Sequence, residues 1–342
     1  MCIPNRLVFV FFAALATASS AKSIYFVGNS LTDGVSYSNL EALAEANGEQ
    51  HDWGRHMIPG APLEWNWNHP DDCISQNPYG CYQTALNNYS WDAVSLQPFD
   101  RQLNSDTEYA TNFINLAKAQ NPDVQIFIYG RWPNAGSRSD FSEWFDKEYT
   151  GGWDGTNETR DYLETLVQQL RQAHSDLPPI KLMPISEVMY LLDQRMKAGQ
   201  IPGYSSVFEV YTDGWHMDNV GSFICGCTAY AILYDKNPVG LTMAGYSLDN
   251  DLAGRIQQAV WDVVSVYEYG RIEGVKVDDR IARGARVDRA RGDGANVLYD
   301  LRGRRIVGSR QSNPRGASLT RGVYVAGSEK QQSIRQAIIL AP

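Results

Sequence analysis

Ser23-Ile24-Tyr25-Phe26-Val27 runs directly into Gly28-Asn29-Ser30-Leu31-Thr32, and the architecture follows from how this junction is interpreted. The first five residues are mostly β-branched or aromatic, which predicts a short buried strand. Gly28-Asn29 ends it, and Ser38 to Asn47 carries helical spacing, so the unit is strand, loop, helix. A serine in that loop stands at the C-terminal edge of a sheet, where open α/β folds place their sites. Serine is also a favoured helix cap, so the junction alone does not separate a chemical role from a structural one.

The same unit recurs outward along the chain. Trp91 to Leu96, Val124 to Tyr129 and Ile180 to Ile185 read as further buried strands, while Asp106 to Gln120, Thr159 to Ser175 and Ser186 to Ala198 read as helices. Asn219 to Asp235 and Leu252 to Tyr269 are also helix-like. Strands alternating with helices imply an α/β fold with a central parallel sheet covered on both faces. After Tyr269 the texture changes: Asp278 to Gly294 is rich in Arg, Gly and Asp and reads as a linker. Val297 to Val307, Gly322 to Ala326 and Arg335 to Leu340 then supply four short strand-like pieces, a small C-terminal β-module. The expected division is 1–21, 22–272, 273–293 and 294–342.

The chain has 342 residues, 43% of them hydrophobic, enough for one substantial core plus an appendage. Its net charge of −9 argues against a nucleic-acid partner held by global positive charge. The charge is unevenly spread. Residues 271–342 hold 15 Lys and Arg against 7 Asp and Glu, a local +8 that leaves −17 for residues 1–270. Arg6, the apolar run Leu7 to Ala16 and the small residues Ser19-Ser20-Ala21 form a signal-peptide pattern. That run is too short for a spanning helix and nothing comparable follows, so no stable membrane insertion is expected. Four cysteines then remain, and an exported chain with an even count suggests disulfides. Cys73 with Cys81, closing a loop over Asn77-Pro78-Tyr79-Gly80, is the preferred bridge; Cys225 and Cys227 stay open. No phosphate loop, dinucleotide fingerprint or metal-ligand spacing is present, and His51, His56, His69 and His174 read as surface or loop residues, so no cofactor is expected.

Far from Ser30, Asp213-Gly214-Trp215-His216 places a carboxylate three residues before an imidazole. A serine hydroxyl is inert until a base takes its proton and a third group fixes that base's tautomer. Together the two segments resemble the SGNH/GDSL hydrolase superfamily, in their order and separation, over roughly residues 23–268. The resemblance implies a flavodoxin-like three-layer α/β/α sandwich, with Ser30 as nucleophile, His216 as base and acid, and Asp213 as orienting partner. It also implies oxyanion donors from the Ser30 backbone N–H, from Gly60 in Ile58-Pro59-Gly60-Ala61, and from a third block. There Gln97 stands where the family pattern has asparagine, with the same amide one methylene further out.

Aromatic residues crowd the segments beside these blocks, and long loops at this edge usually line the site. Trp65, Trp67, Trp132 and Trp215 are therefore candidate substrate contacts, because flat rings among Asn, Asp and Arg suit a sugar. A local mini-core is the competing role for the 131–160 stretch. The expected activity is hydrolysis of small acyl esters, acetyl first, on a polysaccharide or oligosaccharide. A short-chain lipase or arylesterase is the alternative enzyme, and a non-catalytic carbohydrate-binding protein the alternative class. Tyr299 to Arg305 and Arg321 to Val325 resemble the C-terminal sorting domains of the type IX secretion system. That resemblance implies contact with secretion machinery and an extracellular or cell-surface location in a Gram-negative bacterium; a basic module docking on acidic polysaccharide is its alternative.

Overall fold

The computed structural model of the chain describes residues 21–136, 140–149 and 158–272, with four strand segments between 296 and 340. β1 (Lys22–Gly28) is joined by β2 (His51–Met57), β3 (Ile74–Ser75), β4 (Ala93–Leu96), β5 (Gln125–Tyr129) and β6 (Lys181–Met183). Together they form a six-stranded sheet in the order β3-β2-β1-β4-β5-β6. Neighbours pair in parallel, except that β2 and the two-residue β3 are antiparallel, so the sheet is mixed at that edge. Without β3 the order is the doubly wound 2-1-3-4-5 arrangement, whose crevice opens between the first strand and the third. Here that crevice lies between the ends of β1 and β4, the positions from which Ser30 and Gln97 emerge.

β1 is apolar at successive positions because both of its faces are covered. Ile24 and Phe26 face a core shared with α1 (Tyr37–Ala46), α5 (Glu143–Asp146), α7 (Ile185–Lys197), α8 (Asn219–Tyr234) and α9 (Asn250–Val264). Tyr25 and Val27 face the opposite core, built with α2 (Leu63–Asn68), α3 (Tyr82–Asn88), α4 (Leu103–Gln120) and α6 (Arg160–Ala173). The result is the three-layer α/β/α arrangement. A second sheet, antiparallel throughout, contains β7 (Asn296–Asp300), β8 (Arg305–Gly308), β9 (Gly322–Ser328) and β10 (Gln331–Leu340) in the order β10-β9-β7-β8. The signal-peptide and linker readings fall on residues outside those described.

Two expectations are corrected. His51-Asp52-Trp53-Gly54-Arg55-His56-Met57 is a core strand, and His51 and His56 are buried in it, not set on a surface loop. His174, at the end of α6, is buried too. Gly54 explains part of the disguise: a Cβ there would come within 2.7 Å of the Tyr25 ring and 2.9 Å of Trp91. The Cys73–Cys81 bridge forms, with Cα atoms 5.9 Å apart. Cys225 and Cys227 are free and buried in α8.

Candidate active site

Ser30 sits in a turn held from several directions. The Asn29 carbonyl accepts the Thr32 N–H at 3.0 Å and the Thr32 hydroxyl at 2.8 Å. Tyr37 donates to that hydroxyl at 2.7 Å, and Tyr129 donates to the Leu31 carbonyl at 3.1 Å. Gly28 is glycine for steric reasons. A Cβ there would meet Gln97 Oε1 and Thr32 Cγ2, each at 2.6 Å.

His216 reaches this turn from 186 residues away: its Nε2 lies 2.9 Å from Ser30 Oγ. Its Nδ1 lies 2.8 Å from Asp213 Oδ2. With the proton on Nδ1, the imidazole donates to the carboxylate and accepts from the serine hydroxyl, satisfying both contacts. Asp213 Oδ1 also accepts the backbone N–H of His216 at 2.7 Å and of Trp215 at 2.6 Å. Those bonds to His216 and Trp215 hold the Asp213 carboxyl down at about 2. A second carboxylate near the imidazole, Asp33, is pushed up by burial although Arg55 pairs with it at 2.9 Å. Of the two, Asp213 is the more firmly ionised partner.

The loop carrying this pair is fastened at its base. Thr212 N–H donates to the His216 carbonyl at 2.8 Å, and Tyr211 bridges to Met217. Trp132 Nε1 donates to the Trp215 carbonyl at 2.7 Å. Asp218, not Asp213, caps α8 by accepting the Gly221 N–H. The Asp213–His216 pair nevertheless faces solvent, with 45% of the His216 side chain and 54% of the Asp213 side chain exposed.

Among the described residues, neither the Ser30 N–H nor the Gly60 N–H has an acceptor in the protein. Gly60 is exposed at a left-handed turn position, φ +68°, with open space before it. Gln97 departs from expectation. Its side chain is fully buried, its Nε2 donates to Asn29 Oδ1 at 2.9 Å, and its Oε1 accepts the Asn29 N–H at 3.0 Å. An amide sealed from solvent and engaged with Asn29 is not presented to a substrate oxygen.

A cavity of about 280 Å³ opens beside Gly60, walled by Pro59, Pro62, Trp65, Phe99, Asp100 and Arg101. Arg101, on its wall, pairs with Glu64. Beneath, the buried Arg131 guanidinium lies 4.6 Å from the Phe99 ring centre and 5.9 Å from that of Trp215, and pairs with Glu158 at 3.0 Å. Of the four candidate rings, Trp65 remains available: it is 46% exposed and stacks on His69. Trp215 is partly buried beside Phe99. Trp132 is fully buried and acts as a strut for the histidine loop, and Trp67 packs against Tyr82 and Phe113. Phe141 and Trp144 are buried as well, and Phe145 stacks on Tyr190. The rings described in the 131–160 stretch thus serve as a local core; Trp153 lies outside the described residues. Asn29, Phe99 and Arg101 went unread in the sequence, although Asn29 adjoins the serine and Phe99 follows Gln97-Pro98 at the next strand end.

His56, Cys73 and Cys81 bring ligand atoms within 4.8 Å of one another, but both sulfurs are joined in the disulfide. No helix among the described residues is long and apolar enough to cross a membrane.

No family model matches the chain, and no curated protein matches it. Among solved structures, the chain is similar to a DUF4886 family protein from Bacteroides uniformis. The two are 17% identical over 72% of this chain and 95% of that one, with a TM-score of 0.51. It also matches a proposed SGNH hydrolase from Slackia heliotrinireducens, at 22% identity over 62% and 98% of the two chains, TM-score 0.37. A carbohydrate esterase family 3 structure from Talaromyces cellulolyticus matches at 14% over 63% and 97%, TM-score 0.38. At these identities the likeness is one of fold, carried by the first of the three.

Proposed function

We propose that the protein is a serine esterase that removes small acyl groups, acetyl first, from an acylated carbohydrate. The observation supporting this reading is the continuous relay from Asp213 through His216 to Ser30, at 2.8 and 2.9 Å. His216 Nε2 takes the serine proton as Oγ attacks the ester carbonyl. The tetrahedral oxyanion is received by the Ser30 and Gly60 N–H groups. Collapse breaks the bond to the alcohol, which leaves with the proton from Nε2. Water then attacks the acyl-serine with the same base, releasing the carboxylic acid and restoring Ser30. Asp213 steadies the imidazolium in both halves.

Carbohydrate is favoured as the alcohol side because the cavity beside Gly60 exceeds an acetyl group in size. It also combines an exposed indole face with the side chains of Asp100 and Arg101. Stacking on apolar sugar faces and hydrogen bonding to hydroxyls need that mixture. The leader pattern of residues 1–21 and the sorting-domain resemblance of the tail support an activity outside the cell, with the tail contacting secretion machinery.

The test is hydrolysis of p-nitrophenyl acetate and acetate release from acetylated xylan by wild type and Ser30→Ala. Wild type should act on both, and Ser30→Ala should lower both by about 10³-fold or more. Action on the aryl ester alone selects the short-chain lipase or arylesterase alternative. Equal rates in the two proteins would refute the hydrolase, leaving a carbohydrate-binding role.

A further inference from the structure

The ends of three parallel strands meet at Asn29, and every polar group of that residue is engaged there. Its N–H donates to Gln97 Oε1 at 3.0 Å and its Oδ1 accepts from Gln97 Nε2 at 2.9 Å, a reciprocal pair joining the ends of β1 and β4. Its Nδ2 donates to the Ala61 carbonyl at 3.2 Å, reaching the loop after β2. Its Oδ1 also accepts the Leu31 N–H at 3.0 Å, closing the turn around Ser30. Asn29 and Gln97 are 1% and 0% exposed, so water does not compete for these bonds. From the far side, Asn66 donates to the Pro62 carbonyl at 3.0 Å and bears on Ala61 as well.

Ser30 follows Asn29 directly, and Gly60 precedes Ala61 directly. The Asn29-to-Ala61 bond therefore ties together the two peptide segments whose N–H groups lack acceptors. Backbone pairing alone reaches no further than Ile58 N–H on the Gly28 carbonyl and Gln97 N–H on the Val27 carbonyl. Beyond those last rungs the side-chain bonds carry the register.

Resting on the esterase reading, we propose that Asn29 and Gln97 form a positioning clasp that sets the spacing of the Ser30 and Gly60 N–H groups around the substrate oxyanion. Gln97 acts through Asn29 and never touches the substrate. The oxyanion then takes its backbone donors from two loops whose separation is fixed by one asparagine. Misplacing a reacting geometry by about 1 Å costs about 10²-fold in rate, and the loss falls on the transition state more than on substrate binding.

The experiment compares wild type, Gln97→Met, Gln97→Glu, Asn29→Ala and the Gln97→Met/Asn29→Ala double variant on p-nitrophenyl acetate. Thermal unfolding and the rate of Ser30 labelling by a fluorophosphonate are followed in parallel. Methionine keeps the volume of Gln97 and deletes both side-chain bonds; glutamic acid, kept neutral by burial, accepts the Asn29 N–H and returns the other bond through its O–H. Gln97→Met and Asn29→Ala should each lower kcat and the labelling rate about 10- to 100-fold with KM held within about threefold. Gln97→Glu should retain more activity than Gln97→Met. The double variant should be no worse than its weaker parent within about threefold, because both substitutions break one device. A double loss equal to the product of the single losses would make Gln97 an independent donor and overturn the clasp, as would an unchanged kcat in folded Gln97→Met. If Gln97→Met or Asn29→Ala fails to fold, the other decides on the same kcat and labelling criteria. Wild type that neither hydrolyses the ester nor labels at Ser30 removes the esterase reading and the clasp with it.

Discussion

Asp213 differs from a sealed triad carboxylate in having more than half of its side chain in water. Two of its bonds go to its own loop backbone and one to the imidazole. In Asp213→Ala, a water molecule has room to stand beside Nδ1 and accept its proton, so the tautomer survives in part. In Asp213→Asn, an amide N–H2 turned toward Nδ1 drives the imidazole proton to Nε2, where it can no longer take the serine proton. The expected order of kcat is wild type, then Asp213→Ala at about 10²-fold lower, then Asp213→Asn lower still, measured on p-nitrophenyl acetate at pH 8. The reverse order would mean that the carboxylate serves the loop's shape more than the imidazole's tautomer. At this scale much was legible in the sequence: Ser30, Asp213 and His216 lie in short local motifs whose internal geometry a few residues dictate. Gln97 was misread because residue type announces an available amide and says nothing of which neighbour engages it. That choice depends on Asn29, brought alongside only when β1 and β4 pair.

β2 shows what a strand looks like when its buried positions are polar. His51 and His56 break the apolar pattern that marks β1 and β5, and only the folded sheet reveals that they point into the interior. Burial pushes both imidazoles down to about 4. For His56 the sign is definite: between an unfolded value near 6.5 and about 4, the unfolded chain carries a proton that the folded chain refuses. The contribution of neutral His56 is therefore intact above pH 6.5 and erodes as pH falls toward 4. His56→Gln, whose Oε1 can still accept the Tyr82 N–H that His56 Nδ1 now takes, should be less stable than wild type at pH 7. By pH 4.5 that gap should close by roughly 2–3 kcal/mol, at 1.36 kcal/mol per pH unit. Urea unfolding at the two pH values measures it, and a gap that stays constant would show that His56 is protonated freely in the folded state. The ring-rich stretch after β5 was opaque for a related reason. Periodicity does not distinguish an indole that greets a ligand from one that packs under Arg160, as Trp144 does at 5.3 Å.

Across the whole chain, the alternation of strand and helix was enough to indicate a parallel sheet covered on both faces, and the flavodoxin-like arrangement came from the resemblance of the Ser30 and His216 segments. It did not reveal the antiparallel edge at β3, a two-residue pairing too short to leave a pattern. The charge asymmetry is the remaining large-scale signal, −17 before residue 271 and +8 after it. The six-stranded sheet is complete by Met183, and its covering helices are complete by Val264. Ile272, buried and bonded back to Val264, is the last core residue among those whose burial is described. The strands beyond it form a ladder of their own, pairing β10 with β9, β9 with β7 and β7 with β8. Nothing in the proposed relay or the clasp draws on residues after His216. Removal of residues 294–342 should therefore leave kcat/KM on p-nitrophenyl acetate within about twofold of wild type, and the thermal midpoint within a few degrees. Under the proposed sorting role of the deleted strands, export from a host with type IX secretion should fail or change its destination. Activity lost along with export would show that the basic module completes the hydrolase rather than addressing it.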